Sequence, residues 1–400
     1  ILLGEVIDTS NNRCDIQLKG SGITPYSRQG DGRAALGPVL REYIISEAMN
    51  ALKIPTTRSL SIVSTGEPVF REKTLPGAIL TRVALGHVRT GTFQYFAAKG
   101  DTKAISTLSD YVIERHFPEI KDVPNSYLKF LEFVMDKYAN LVAKWMNVGF
   151  IHGVMNTDNM AITCETIDYG PCAFMDNFNK TKVFSSIDQF ARYSYSNQPS
   201  IAQWNLARLA ETILPLIDSQ SNNALELATE IIEKFTERFK NYWLGGMRLK
   251  LGLSKDNPED ETLIESLLEI MHKNEVDFTL TFRKLSIAVL KDGNDENLRI
   301  FFRNSKSFDN WLTKWRSRLS LEENNFEKIS LLMKSVNPVI IPRNHRVEEV
   351  IQEAELNGDF APFENLNNAL SNPFDEIDEF KNYVTPPKPE EEVLKTFCGT

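Results

Sequence analysis

I-H-G-V-M-N-T-D-N-M-A-I-T-C-E-T-I-D-Y-G, running from Ile151 to Gly170, is the stretch around which the rest of the chain is read. It holds His152-Gly153, then Asp158-Asn159, then Asp168-Tyr169-Gly170. Asn159 and Asp168 offer an amide oxygen and a carboxylate, hard donors suited to a divalent cation that also binds phosphate. Asp158, beside one of them, can serve as a general base. Met160, Ala161 and Ile162 read as a short strand between the two donors. A polar loop followed by a strand, with no chemistry, is the competing reading of this stretch taken alone.

The spacing carries more than the residues. The protein-kinase catalytic loop is H-R-D, four residues and Asn, with D-F-G further on. Aligned on His152, that pattern places Asn159 on the kinase Asn and Asp168 on the D-F-G aspartate, while the kinase base falls on Val154. Valine accepts no proton. The metal-binding half of a kinase site is therefore present without its usual phosphoryl-acceptor half. Three functions are compatible with this: transfer of a different part of the nucleotide, a conventional phosphotransferase using Asp158 as base, or an inactive ATP-binding pseudokinase scaffold.

Upstream, residues 1–100 read as mostly β with one helix. Ile1 to Val6 is a strand, and Cys14 to Lys19 alternates, with Asp15, Gln17 and Lys19 on one face. Pro38 opens a helix carrying Leu40, Ile44, Ile45, Ala48, Met49 and Leu52 at helical spacing, and Pro55 closes it. Leu60–Val63 and Pro68–Arg71 read as a hairpin turning at Thr65-Gly66, and Gly77 to Leu85 as a further strand. Lys19 on its strand and Glu42 in the first turns of the helix match the lysine–glutamate pair that holds nucleotide phosphates in kinases. A solvated lysine and a first-turn helix acid are the bland alternative. The order Lys19, Glu42, His152…Asn159, Asp168 decides between them. Gly30-Asp31-Gly32-Arg33 supplies backbone N–H groups able to cradle an anion, or forms a plain surface turn. Arg82 and Arg89 suit bidentate phosphate binding.

The remainder is helical. Ile105–His116 and Tyr127–Met146 precede the central stretch, and Asp176–Pro199 follows it in the place of an activation segment. Helices are expected over Ile201–Ile217, Ala224–Lys240, Asp260–His272, Phe278–Leu290, Leu321–Ser335 and Val347–Asn357. Phe301, Phe302, Phe308, Trp311 and Trp315 read as core. Residues 372–392, rich in proline and acid, read as a poorly ordered linker or strap. The fold class expected is α+β: a bilobal protein-kinase-like fold with a β-rich N-lobe (1–100), a large helical C-lobe (101–336) and a C-terminal extension (337–400).

A net charge of −9 argues against a nucleic-acid binder that relies on a basic surface. No apolar run reaches membrane-spanning length. The five histidines form no H-E-x-x-H, which argues against a zinc hydrolase, and the four cysteines show no C-x-x-C, so a reducing compartment is expected. No secretory signal opens the chain, which starts at Ile1 rather than Met, so further residues are expected upstream. A monomer is expected.

Longer blocks of sequence resemble one family. L-K-G-S-G (Leu18 to Gly22), T-P-Y-S-R (Thr24 to Arg28), G-D-G-R (Gly30 to Arg33), R-E-Y-I-I-S-E-A-M (Arg41 to Met49) and I-P-T-T-R (Ile54 to Arg58) are followed by H-V-R-T-G-T-F (His87 to Phe93). H-G-V-M-N-T-D-N-M (His152 to Met160), D-Y-G-P (Asp168 to Pro171) and a terminal C-G-T complete the set. Together they resemble the selenoprotein O family, also called YdiU, kinase-fold proteins that act as protein adenylyltransferases. The resemblance implies ATP bound in reverse, its α-phosphate facing a Ser, Thr or Tyr hydroxyl of a protein substrate, with pyrophosphate released. It implies that Lys19, paired with Glu42, binds phosphates, that Asp31 and Gly32 sit at the nucleotide, and that Arg82 and Arg89 hold the distal phosphates. It further implies that Asn159 and Asp168 bind Mg2+ or Mn2+ and that Asp158 accepts the proton. The family's glycine-rich nucleotide loop precedes Ile1. Some relatives are linked to redox control by a disulfide from a C-terminal cysteine to the activation segment. Here Asp176–Pro199 has no cysteine, and a latch from Cys398 to Cys172 is the nearest counterpart. The compartment implied is the cytoplasm of a bacterium or the mitochondrion of a eukaryote.

Overall fold

Strands β1 (Leu2–Ile7) and β2 (Arg13–Lys19) pair antiparallel, β3 (Ala34–Ala35) leads into helix α1 (Leu36–Ala51), and β4 (Arg58–Phe70) runs back against β5 (Thr74–Ala84). The computed structural model describes residues 1–27, 30–290, 295–303, 305–322 and 325–397. All five strands join one antiparallel sheet in which β5 pairs with β2, β3 and β4. Its register sets Gln17 opposite Arg82 and Lys19 opposite Leu80. The expected hairpin turn at Thr65-Gly66 is instead a bulge within one strand. Ser64 pairs with Ala78 and Pro68 with Pro76, so the residues between them crowd against Gly77, and the chain reverses only after Phe70. An added residue opposite a continuous partner bends a strand without ending it.

Two helices, α2 (Thr90–Ala97) and α3 (Thr102–His116), lead to α4 (Ser126–Asn147), whose buried stripe Phe130, Leu131, Val134, Leu141, Val142 and Trp145 anchors the helical part. Each such side chain contributes roughly 1.5–3 kcal/mol by leaving water. A two-stranded ribbon, β6 (Phe150–Ile151) with β7 (Ala173–Phe174), brackets the central stretch. The strand expected at Met160–Ile162 does not form. Ala161 makes a single bridge to Arg89, and the chain then turns, with the Cys164 N–H donating to the Ala161 carbonyl at 3.0 Å and Cys164 at φ 60°, which ends the extended run.

The helices that follow are α5 (Gln198–Ile217), α6 (Ser221–Lys250), α7 (Asp260–Asn274), α8 (Phe278–Ala288), α9 (Asp295–Phe301), α10 (Lys306–Leu319), α11 (Phe326–Val336), α12 (Asn344–Asn357), α13 (Ala361–Leu370) and α14 (Lys381–Val384). Sequence periodicity stops α6 ten residues short, at Lys240, and leaves α2, α9, α10, α13 and α14 unassigned. Phe302, Phe308, Trp311 and Trp315 form the expected core stack, the first pair with ring centroids 3.8 Å apart. The architecture is α+β: a sheet-bearing first part and a large helical remainder, joined by one contiguous core that α1 enters through Ile44, Ile45, Ala48 and Met49.

The segment read as a loose strap is tied down. Val339 N–H donates to the Pro373 carbonyl at 2.7 Å. Thr396 bridges to Ser185, and its hydroxyl donates to the Pro171 carbonyl at 2.6 Å. Among the described residues no helix is long and apolar enough to cross a membrane.

Candidate functional site

Period-two alternation puts Gln17 and Lys19 of β2 on the same face as Arg82 of β5, and α1 lays Glu42 against them. Lys19 Nζ meets Glu42 Oε2 at 2.7 Å, Arg82 Nε donates to Glu42 Oε1 at 2.5 Å, and Arg82 Nη1 to Gln17 Oε1 at 3.2 Å. Glu42 is 1% exposed, so it is an internal anchor and not a solvated first-turn acid. Arg82 Nη2, which also lies 2.5 Å from Glu42 Oε1, pairs with Asp168 as well. Arg89 reaches the same carboxylate at 2.8 Å, and Lys19 approaches it at 3.7 Å. Arg89 also donates to the Asp158 carbonyl at 2.7 Å. The six residues Lys19, Glu42, Arg82, Arg89, Asp158 and Asp168 therefore form one connected constellation.

The loop geometry is set locally. Asn156 accepts from the backbone N–H groups of Asp158 and Asn159, both at 3.1 Å, and caps the 3-10 turn Thr157–Asn159. Asn159 Nδ2 donates to the Val154 carbonyl at 2.8 Å, which leaves its Oδ1 as the acceptor. The Asp158 carboxylate lies against the first turn of α2: a Cβ on Gly91 would come within 2.1 Å of Asp158 Oδ1. His152, fully buried, donates from Nε2 to the Ile167 carbonyl at 2.9 Å and accepts the Val154 N–H on Nδ1 at 3.4 Å. Burial lowers its pKa, keeping it neutral, and it joins the two arms of the central stretch just before Asp168. Thr166 and Thr57, in the connection after α1, add a backbone bond of 3.0 Å.

Burial alone would raise the Asp168 pKa, but Arg82, Arg89 and Lys19 hold it well below the usual carboxylate range. Burial likewise disfavours a charged Arg82, yet the flanking Asp168 and Glu42 carboxylates raise its pKa. Lys19, Arg82 and Arg89 bring three cations together, paired with Glu42 and Asp168 and with Asp158 alongside, in a part-buried site, and two guanidinium groups converging in this way favour a polyphosphate. Beside it opens a cavity of about 660 Å³ lined by Lys19, Gly20, Ser27, Gly30, Asp31, Gly32, Arg33, Ala34 and Arg71. Asp31 and Gly32 thus share a wall with Lys19. Asp31 takes a bidentate pair from Arg71, 2.9 and 3.0 Å, and accepts the Arg33 N–H at 3.0 Å, and these bonds hold its pKa at about 2. The Arg33 N–H is therefore committed to the loop itself and not to the expected anion cradle.

Arg71 and Gln17 escaped assignment from sequence, and His152 served there only to align the motif. Only the H-G pair gave a local signal, and Arg71 meets Asp31 across 40 residues. Arg28 of the T-P-Y-S-R block lies outside the described residues, as do Cys398, Gly399 and Thr400. Cys172, the other half of the suggested latch, is completely buried, and burial pushes its thiol up to about 12. Such a thiol is a poor partner in disulfide exchange. Among the described residues no group of three or more His, Cys, Asp or Glu side chains gathers to hold a metal.

The sequence profile of the family described as Protein adenylyltransferase SelO matches residues 1–371. The chain belongs to this family. It is, by that membership, an enzyme of the nucleotidyltransferase class. It is 55% identical over 400 residues to the protein nucleotidyltransferase YdiU of Rhizobium etli (strain CIAT 652), covering all of this chain and 80% of that one. YdiU proteins of Rhizobium meliloti (strain 1021) and Rhodopseudomonas palustris (strain TIE-1) are each 54% identical across the whole chain, which spans 82% and 81% of their lengths. These SelO-family relatives are bacterial, and their shared activity makes a nucleotide the substrate.

Proposed function

We propose that this chain transfers AMP from ATP to Ser, Thr or Tyr hydroxyls of other proteins, releasing pyrophosphate, from a kinase-like two-lobed scaffold. The lobes are 1–100 and 101–336, with 337–400 as an extension. One observation carries the reading: Lys19, Arg82 and Arg89 converge on Asp168 while valine, at 154, stands where a kinase base belongs. A site built to grip phosphates has lost the kinase route to the γ-phosphorus. Asp158, tied into the constellation through Arg89, is the carboxylate left to accept a proton.

In this reading Arg82 and Arg89 turn from Asp168 to the β- and γ-phosphates, and Lys19, steadied by Glu42, holds phosphate oxygens. Asp31 and Gly32 border the nucleotide. The substrate hydroxyl oxygen attacks the α-phosphorus, its proton passes to the Asp158 carboxylate, and the bond from the α-phosphorus to the bridging oxygen breaks, so that pyrophosphate leaves with that electron pair. Asn159 Oδ1 and Asp168 fit Mg2+ or Mn2+: two hard oxygen donors suffice where phosphates complete the shell. When bound, the ion offsets charge on the phosphates. The chain acts as a monomer on protein substrates, without nucleic acid or membrane, in the bacterial cytoplasm.

Incubating the protein with candidate substrates and ATP labelled at either the α or the γ position tests this. Substrate should retain the α label and gain the mass of AMP. Retention of the γ label alone would establish a phosphotransferase and overturn the proposal.

A further inference from the structure

Helix α1 carries Glu42, but nothing within α1 fixes where that carboxylate points. Its N-cap residue, Ala35, makes no side-chain capping bond, and its first turn has no acid. The missing cap comes from 318 residues away: Glu355 Oε1 of α12 accepts the Gly37 N–H at 3.0 Å. That N–H is one of the first-turn donors a helix cannot satisfy itself, and a carboxylate there also suits the helix dipole. The approach is close enough that a Cβ on Gly37 would lie 2.7 Å from Glu355 Oε1 and 2.8 Å from Ile351 Cγ2.

One turn further along α1, Arg41 is 3% exposed. Its Nη1 donates to Asn344 Oδ1 at 2.8 Å and to the Cys172 carbonyl at 3.2 Å, and its Nη2 pairs with Glu348. Asn344, Glu348, Ile351 and Glu355 follow at intervals of four, three and four, one stripe of α12. A single guanidinium thus ties the helix bearing Glu42 to the chain just after Asp168-Tyr169-Gly170 and to α12 at once. From α13, Phe363 packs edge-to-face on Tyr43 at 5.3 Å.

We propose that the α12 stripe Asn344, Glu348 and Glu355 is a built-in clamp that positions Glu42, and through it Lys19 and Arg82, for nucleotide binding. These are positioning residues, not catalytic ones. The inference rests on the proposed role of Lys19 in holding phosphate. Charge-assisted bonds at two successive turns fix the rotation and axial position of α1 in addition to its apolar packing, and so bring Glu42 to Lys19 and Arg82. Removing the clamp frees α1 to turn Glu42 away from Lys19.

The test is a double-mutant cycle on the full chain. Glu348→Ala with Glu355→Ala should weaken ATP binding at least fivefold by calorimetric titration and lower AMP transfer at least tenfold. In a Glu42→Gln background the same pair should change ATP affinity less than twofold, because no carboxylate is left to place. Glu348→Gln, which still accepts a hydrogen bond from Arg41, should restore most of the loss at that site. Should the alanine pair fail to fold, Gly37→Ala wedges α1 from α12 without removing a charge and takes its place in the cycle. Equal losses in both backgrounds, or none in the parent, overturn the clamp. If the chain transfers no AMP at all, the proposed function falls, and the ATP affinities decide the clamp by the same comparison.

Discussion

Replacing Asp168 with Asn separates the electrostatics of the site from its chemistry, because the two respond in opposite directions. The change keeps the side-chain shape and removes one charge. Asp168 pairs with Arg82, with Arg89 at 2.8 Å and with Lys19 at 3.7 Å, so all three cations lose a partner while only Glu42 stays. Removing one member of a buried ion pair costs about 3–5 kcal/mol. The Asp168 side chain is 19% exposed, which points to the lower end. The ligand-free protein should melt several degrees lower. Burial opposes ionisation of Asp168, but the three cations hold its folded pKa well below its unfolded value, so its stabilisation is present above about pH 4. The melting difference from the parent should therefore stay level between pH 5 and 8 and close as acid protonates Asp168. ATP binding should move the other way. One negative charge removed about 4 Å from a phosphate is worth roughly 1 kcal/mol even at the dielectric of water, so ATP in EDTA should bind about fivefold tighter to the variant. Mg2+ or Mn2+ should no longer strengthen that binding, and AMP transfer should disappear. Melting curves and calorimetric titrations with and without metal read all of this. A variant that melts like the parent, or binds metal-free ATP no better, would refute the reasoning.

Three further outcomes are expected. Gly91→Ala places a Cβ 2.1 Å from Asp158 Oδ1 and must displace that carboxylate, so AMP transfer should fall at least tenfold, since a shift of about 1 Å in a reacting group costs up to about a hundredfold. ATP affinity and melting temperature should barely change, and full activity would remove Asp158 from the proton's path. Burial raises the Glu165 pKa to about 7, so its protonated form is favoured in the fold. The stability it contributes is complete below the unfolded value and is lost as pH rises through 7, by up to roughly 3 kcal/mol. Glu165→Gln should therefore gain stability relative to the parent between pH 5 and 8, and parallel denaturation curves would contradict this. Thr396→Val keeps the volume but leaves the Pro171 carbonyl without the hydroxyl that bonds it at 2.6 Å, a loss of about 1–3 kcal/mol. Protease should then cut the segment around residues 386–397 sooner, and an unchanged digestion pattern would show that the strap is held by its other contacts.

What could be read from sequence, and what could not, divides along the range of the interaction. Helix α4 and strand β2 were legible because 3.6- and 2-residue periods repeat within a few turns or pleats. Asn159 and Asp168 could be singled out because their spacing from His152 is local. The same local logic misplaced Thr65-Gly66, where turn-forming residues only bulge a strand that β5 continues to pair. It also ended α6 at Lys240, although the helix runs on through Gly245-Gly246 to Lys250. There Gly246 lets α4 approach, for a Cβ would meet Asn147 Nδ2 at 1.9 Å. The bonds that orient the site leave no such pattern. Arg41 and Glu348 are 307 residues apart, and on its own helix each reads as a solvated charge. Burial of Glu42 has the same cause: an acid near the start of a helix looks ordinary until Lys19 and Arg82 arrive from another layer. Spacing identifies residues that act on a ligand together, because the ligand itself imposes the spacing. Residues that hold those residues in place answer only to the fold, so they become visible only when distant elements are brought together.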